Sequence, residues 1–182
     1  MLTYKNPKAK PCEVCERLFV PDRMGQVVCR PACAMARVRQ AKKAERATTR
    51  ARKEAIKTIA DLKREAQQAL NRWIVHVRDK GRPCISCGRH HQGAWHAGHY
   101  LSRGAAPQHA LNPINVWKQC AQCNTYLHGN QAAYRIRLVE LIGLEKVEAL
   151  ESDNAPHKWT REELIALRDE YRAKLKAIKE GA

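Results

Sequence analysis

Residues 84–128 read CISCGRHHQGAWHAGHYLSRGAAPQHALNPINVWKQCAQCNTYLH, and this stretch decides how the chain is to be read. It opens and closes on cysteine pairs of equal spacing, Cys84-x2-Cys87 and Cys120-x2-Cys123. Two thiols two residues apart can be presented to one tetrahedral ion from a tight turn. Between the pairs lie WHAGHYL, a loop containing Gly, Pro and Ala, and then INVWKQC. The pattern predicts a β-hairpin tied at its outer end, by zinc, to a helix. That helix is expected to start near Asn124, directly after Cys123, with His128 one turn further on the same face.

Upstream, Cys12-x2-Cys15 and Cys29-x3-Cys33 make a second set, so the eight cysteines form two four-sulfur sites. A disulfide framework is the alternative. The opening MLTYKNPKAKP lacks the apolar core of a secretory signal. A reducing, cytoplasmic compartment is therefore expected, in which thiols stay free for zinc. Residues 1–33, with Pro7, Pro11, Pro21 and Pro31, hold too little apolar material to fold without a metal.

The chain has 182 residues, enough for one medium domain or two small ones. Lys and Arg number 34 against 18 Asp and Glu, a formal charge of +16, and the mean hydropathy is −0.61. Aromatic residues make up 5% and Phe occurs once, so the cores need help to close. No apolar run approaches the ~20 residues of a membrane span. The charge calls for a polyanionic partner, with nucleic acid first and a membrane surface second.

Residues 34–80 contain neither Gly nor Pro and predict a long helix, in one piece or broken near Thr48-Thr49. From 34 to 72 there are twelve basic and four acidic side chains. Arg37, Arg39, Lys42, Lys43, Arg46 and Arg50 fall in a first half with almost no apolar stripe. That half reads as a solvated linker or as a rod that tracks phosphates. In the second half Ile59, Leu62, Ala66, Ala69, Trp73 and Val77 form a heptad-like seam, to be packed against the body or a second copy. Gly81 and Pro83 stop the helix, and residues 81–130 form the cysteine- and histidine-rich unit. Residues 131–182 read as helical scaffold. One helix ends at Gly143, a short one covers LEKVEALE, and a Thr160-x-x-Glu163 capping box starts a third running to about Lys179. Leu164, Leu167, Tyr171, Leu175 and Ile178 would be its core face. The expected class is α+β, mainly α.

The hairpin can bring His96, His99 and Asn124 together. Imidazole nitrogen and amide oxygen suit a divalent ion with open water positions. An imidazole left free could take the proton of a water attacking a phosphodiester.

His99, Asn115 and Asn124, with Cys120-x2-Cys123-Asn124, resemble the ββα-metal motif of HNH endonucleases. The ending CxxC-Asn is similar to that of endonuclease VII-type Holliday-junction resolvases of phages. More closely, GAWHAGHYLSRGAAPQ, NVWKQCAQCNTYLHGN, YRIRLVELIG and HKWTREEL resemble the lambdoid phage NinG/Rap family of recombination endonucleases. The likeness reaches the CEVC…CRPAC module and so covers nearly the whole chain. The resemblance implies a structure-specific endonuclease for Holliday junctions and other branched DNA, working in the host cytoplasm. It implies His99 as general base, Asn124 as ligand of a catalytic Mg2+ or Mn2+, and Asn115 as the middle residue that braces the loop. His96 stands where the family pattern DAGH has Asp. It can still bind the ion but brings no charge, which shifts preference towards Mn2+ or a softer ion. His128, where the family tends to have Ser, is the weakest candidate ligand.

Blander roles compete with these. Asn115 could simply cap a turn. His90, His91, His109 and His157 read as surface or core residues, and Trp95, Trp117 and Trp159 as core filling. Arg103 and Lys118 read as phosphate contacts rather than structural ion pairs. Two other functions stay open: a zinc-bearing DNA-binding or recruitment protein with a decayed HNH site, and action on RNA, for which no interleaved aromatics speak. A homodimer through the Ile59–Val77 seam would offer two sites to a junction, and other phage recombination proteins are further expected partners.

Overall fold

The computed structural model describes residues 8–180. Residues 1–7, with Pro7 of the expected first module, and residues 181–182 lie outside the described residues. The chain divides into two compact units between Lys57 and Thr58. It is mixed helix and strand, with helix dominant, as the pattern of segments led us to expect.

In the first unit, β1 (Lys10–Pro11) pairs antiparallel with β2 (Leu18–Phe19). The turn between them holds Cys12 and Cys15. Glu16 ends it in the left-handed region at φ 59°, and its amide donates to the Cys12 carbonyl at 2.9 Å. Cys29 precedes α1 (Pro31–Ala55), and Cys33 lies in the first turn of that helix, its one buried residue. Pro31 at the helix start loses nothing, because the first amides of a helix have no intrahelical partner anyway. Arg37 reaches back to Glu13 at 2.8 Å and pins the helix to the cysteine turn.

The helix expected over residues 34–80 is two helices, and the break is not at Thr48-Thr49. Thr48 stays helical, its hydroxyl donating to the Ala44 carbonyl one turn back at 2.6 Å. The interruption falls at Ile56–Thr58, where Thr58 caps α2 (Ile59–Trp73). The Asp61 amide donates to Thr58 Oγ1 at 3.1 Å, while the Thr58 amide donates to Asp61 Oδ2 at 3.1 Å. This reciprocal cap satisfies two orphan amides and restarts the helix more decisively than two threonines could end one.

In the second unit α2 runs into a π-helical turn, Ile74–Arg78. Then come β3 (Trp95–His99), β4 (Val116–Cys120), a second π-helical turn (Gln122–Tyr126), α3 (Gln131–Ile142), α4 (Leu144–Ser152) and α5 (Arg161–Glu180). Thr160 and Glu163 cap α5 as expected, the Glu163 amide donating to Thr160 Oγ1 at 3.2 Å and the Thr160 amide to Glu163 Oε2 at 2.8 Å. Leu164 and Tyr171 are buried, but Ile178, expected on the same core face, is 44% exposed.

The apolar seam of α2 is buried within its own unit. Leu62, Ala66, Leu70 and Ile74 form one core with Leu164 and Tyr171 of α5 and with Leu111 and Val116. Leu62 is 0% exposed. The body thus takes most of the apolar face that the sequence left open to either partner, while Ile59 at its start is 45% exposed. Buried Arg168 crosses from α5 to Glu65 of α2 at 3.0 Å. A second core joins Tyr100 and Trp117 of the hairpin region to Tyr134 and Leu138 of α3 and to Val147 and Leu150 of α4.

Arg78 and Asp79 lock the hairpin to the end of α2. Arg78 donates to the Pro113 and Val116 carbonyls, both at 2.7 Å, and lies 3.8 Å from the Trp117 ring centroid. Buried Asp79 receives Arg78 Nη2 at 2.7 Å and the Lys118 amide at 3.1 Å. A charge this deep is tolerable only because donors surround it.

Candidate active site and cysteine clusters

The hairpin is antiparallel, with His96 opposite Gln119 and His99 opposite Val116. Gly98 is dictated by its partner strand, since a Cβ there would sit 2.0 Å from Gln119 Oε1. The helix expected after β4 is only the five-residue π-helical turn Gln122–Tyr126, with Asn124 at its centre. Left-handed His128 and Asn130, at φ 48° and 46°, flank Gly129 and end it. His128 is consequently exposed in a turn rather than aligned with Asn124 on a helix face.

His96 and Asn124 do meet: Asn124 Nδ2 lies 2.9 Å from His96 Nδ1. Two ligands at right angles around an ion bonded at about 2.1 Å stand about 3 Å apart, so the pair fits two adjacent positions of a divalent ion once the amide presents its oxygen. His76, from the first π-helical turn, lines the same cavity with Arg72, His96 and Asn124. His76 is not among the residues that the sequence motifs single out. Its only signal was a polar residue interrupting the apolar run Trp73–Val77.

His99 stands on the strand face shared with Ala97, which packs against the α2 core. Its Nε2 is 3.0 Å from the Ala110 carbonyl. A carbonyl only accepts, so Nε2 carries the hydrogen, and the lone pair of the neutral ring is on Nδ1. Burial first, and the positive charge of Arg103 second, hold the imidazole below its ordinary pKa, against the upward pull of the Ala110 carbonyl. It is therefore the neutral, basic form that the fold favours.

Asn115 is 0% exposed and braces the loop between the strands. Its Oδ1 accepts the Leu101 amide at 2.7 Å, and its Nδ2 donates to the carbonyls of Leu101 and His109 at 3.0 and 3.1 Å. Lys118 is not a phosphate contact. It is buried, and its ammonium donates to the carbonyls of Asp79, Lys80 and Arg82 at 3.3, 3.2 and 2.9 Å. Arg103 is exposed, as are Arg37, Arg39, Lys42, Lys43, Arg46 and Arg50 on α1. His109 is buried and contacts the Asp153 carbonyl at 3.1 Å, a core residue as expected.

Both cysteine sets are assembled. Cys12, Cys15, Cys29 and Cys33, and likewise Cys84, Cys87, Cys120 and Cys123, each bring four sulfurs within 4.8 Å of one another. The Cys29 sulfur is 3.5 Å from that of Cys15 and 3.8 Å from that of Cys33. Sulfurs bound tetrahedrally at ~2.3 Å stand about 3.8 Å apart, so the donor set is consistent with zinc. Backbone amides support the sulfurs: Cys29 donates to Cys12 Sγ, Cys120 to Cys84 Sγ and Cys123 to Cys120 Sγ, each at 3.4 Å. At Cys12 burial works upward, but the amides of Cys15, Val14 and Cys29 bring the thiol down to about 6. Burial and the surrounding thiols push Cys29 up to about 12. Four sulfurs so close cannot all be anionic unless a cation joins them, which is what a structural metal supplies.

Fold and clusters together define a basic protein of two units, each carrying a four-cysteine centre able to hold a metal ion. The family model described as "Bacteriophage Lambda NinG protein" matches residues 4–181. Relatives named "Protein ninG" from Salmonella phage P22 and Escherichia phage lambda are each 37% identical, over 93% and 91% of this chain and 92% and 90% of their own lengths. The "Protein ninG" of Escherichia phage 933W is 35% identical over 95% of both chains. The chain belongs to the NinG family. No solved structure matches it. Among the described residues no helix is long and apolar enough to cross a membrane.

Proposed function

We propose that this chain is a metal-dependent DNA endonuclease of HNH type that cuts branched DNA, Holliday junctions among it, during phage recombination. The observation that carries the reading is the meeting of His96 with Asn124 at 2.9 Å; His99, three residues further along β3, has its ring oriented by the Ala110 carbonyl at 3.0 Å. In this reading β3, β4 and the Gln122–Tyr126 turn are a shortened ββα-metal unit, and zinc in the second cysteine cluster ties its ends. Zinc in the first cluster folds the N-terminal module.

His96 and Asn124 would hold a Mg2+ or Mn2+ ion, which when bound supplies positive charge to the phosphate and to the departing oxygen. His99 Nδ1 takes a proton from a water as its oxygen attacks phosphorus. The bond from phosphorus to the 3′ oxygen breaks, and the nicked strand leaves with a 5′ phosphate. The Ala110 carbonyl keeps the ring oriented and stabilises the imidazolium that forms. Asn115 fixes the loop that carries this carbonyl.

A second reading, a DNA-binding or recruitment protein with a decayed site, is favoured by one observation. Among the described residues no carboxylate lines the cavity at His96 and Asn124. The test is cleavage of an immobile four-way junction beside linear duplex of the same sequence, with Mg2+, Mn2+ or EDTA. Metal-dependent nicking of the junction, lost in His99→Ala, is the expected result. Tight binding without cutting under any ion would select the second reading.

A further inference from the structure

Three cavities on the second unit adjoin one another along α2 and its π-helical turn. The first and second share Asn71 as a wall, and the second and third share Val75, His76 and Trp95. They form one trough, and His96 and Asn124 lie in its middle section. His99 is beside it, because its two neighbours, Arg103 and Ala110, line the first section.

The lining is one-sided in charge. Lys63, Arg64 and Arg103 stand at one end, Arg72 in the middle and Lys80 at the other end. Among the described residues no Asp or Glu lines any of the three sections. The remaining polar lining is amide and imidazole, from Gln67, Gln68, Asn71, Asn124, His76 and His96, with Lys118 at the far end held by the carbonyls of Asp79, Lys80 and Arg82. Arg64 shares its charge with Asp61 at 2.6 Å, whereas Lys80 and Arg72 are exposed. Cations and amides without carboxylates are the donor set of a surface that meets a phosphate backbone. From Ala60 to Lys80 the trough is about 30 Å long at ~1.5 Å per helical residue, the axial length of about nine phosphates of a duplex strand at ~3.4 Å each.

We infer that this trough is the seat of one arm of double-stranded DNA, with the strand to be cut running along α2 past His96, Asn124 and His99. This rests on the nuclease reading but adds to it a track made by α2. It also gives the DNA a seat on the face of α2 that is turned away from α5, beside any contact that the basic α1 makes.

The test is binding of a fluorescent four-way junction and of a linear duplex in EDTA, titrated over salt. Wild type is compared with Lys63→Glu/Arg72→Glu/Lys80→Glu. We expect the triple variant to bind both DNAs at least 30-fold more weakly, with a salt slope shallower by about 3, since each phosphate contact contributes about 0.9. Binding within twofold of wild type would overturn the trough. Melting temperature and bound zinc check that the variant folds. Should it not fold, Gln68→Cys bearing a photocrosslinker in the otherwise unchanged chain decides: adducts to DNA support the trough and their absence overturns it. A wild type that binds through the trough but never cuts would defeat only the nuclease reading. One that cuts while the triple variant binds normally would defeat only the trough.

Discussion

Asn115 and His99 are fixed to neighbouring carbonyls of one loop. Asn115 Nδ2 donates to His109 at 3.1 Å, and His99 Nε2 to Ala110 at 3.0 Å. The orientation of the imidazole is thus set by an amide that never touches it. Asn115→Ala removes the partners of the Leu101 amide and carbonyl, at roughly 1–3 kcal/mol for each such group, and leaves the His109 carbonyl with the Asn112 amide alone. Thermal unfolding should show a drop of several degrees, and the ring-proton resonances of His99 should broaden or move. Unchanged His99 resonances in a folded Asn115→Ala protein would show that the loop holds its shape unaided.

Stability should depend on pH through His99. Its folded pKa lies below the ordinary value of about 6.5, so protonation favours the unfolded chain. The contribution is complete above about pH 6.5 and is lost as pH falls below it. Melting followed from pH 7.5 to 5 should fall more steeply in wild type than in His99→Gln, which can still donate to Ala110 but does not titrate. Arg103→Glu should raise the His99 pKa, because it replaces a repelling charge with an attracting one. If wild type and His99→Gln melt in parallel, the imidazole is not shielded as described.

The two cysteine clusters should fail separately. All four tryptophans, at 73, 95, 117 and 159, lie in the second unit, so their fluorescence reports on that unit alone. Cys12→Ser should lose about one metal ion per chain while tryptophan emission stays native. Cys84→Ser should lose one ion and also shift the emission to the red, because Cys84 is 0% exposed and lies at the base of the hairpin. Equal emission changes in both variants would contradict the division into two units.

Leu62→Asp separates an internal seam from an intermolecular one. At 0% exposure, a carboxylate there has no partner among Ala66, Leu70 and Leu164. The cost should exceed about 3 kcal/mol and abolish the cooperative melt of the second unit. A folded Leu62→Asp protein that changed only its sedimentation would restore the seam as a dimer contact.

Some of this was written into the sequence, and the reasons are local. Cysteine spacing specified both four-sulfur sites, because ligands two or three residues apart need only a turn to converge. Thr160 and Glu163 fixed the start of α5, and Gly143 the join of α3 and α4, since caps and left-handed glycines act within a few residues. The same kind of signal at Thr58-x-x-Asp61 was overlooked, and with it the true break between α1 and α2. Other features depend on contacts far apart in the chain. Lys118 looked like a phosphate ligand until three carbonyls of residues 79–82 enclosed it. The α2 seam could have faced any apolar partner, and only α5, some hundred residues away, decided which. His76 and Asn124 reach one cavity because two π-helical turns, some fifty residues apart in the chain, bring them there. Pattern alone cannot place such pairs, since their proximity is a product of packing.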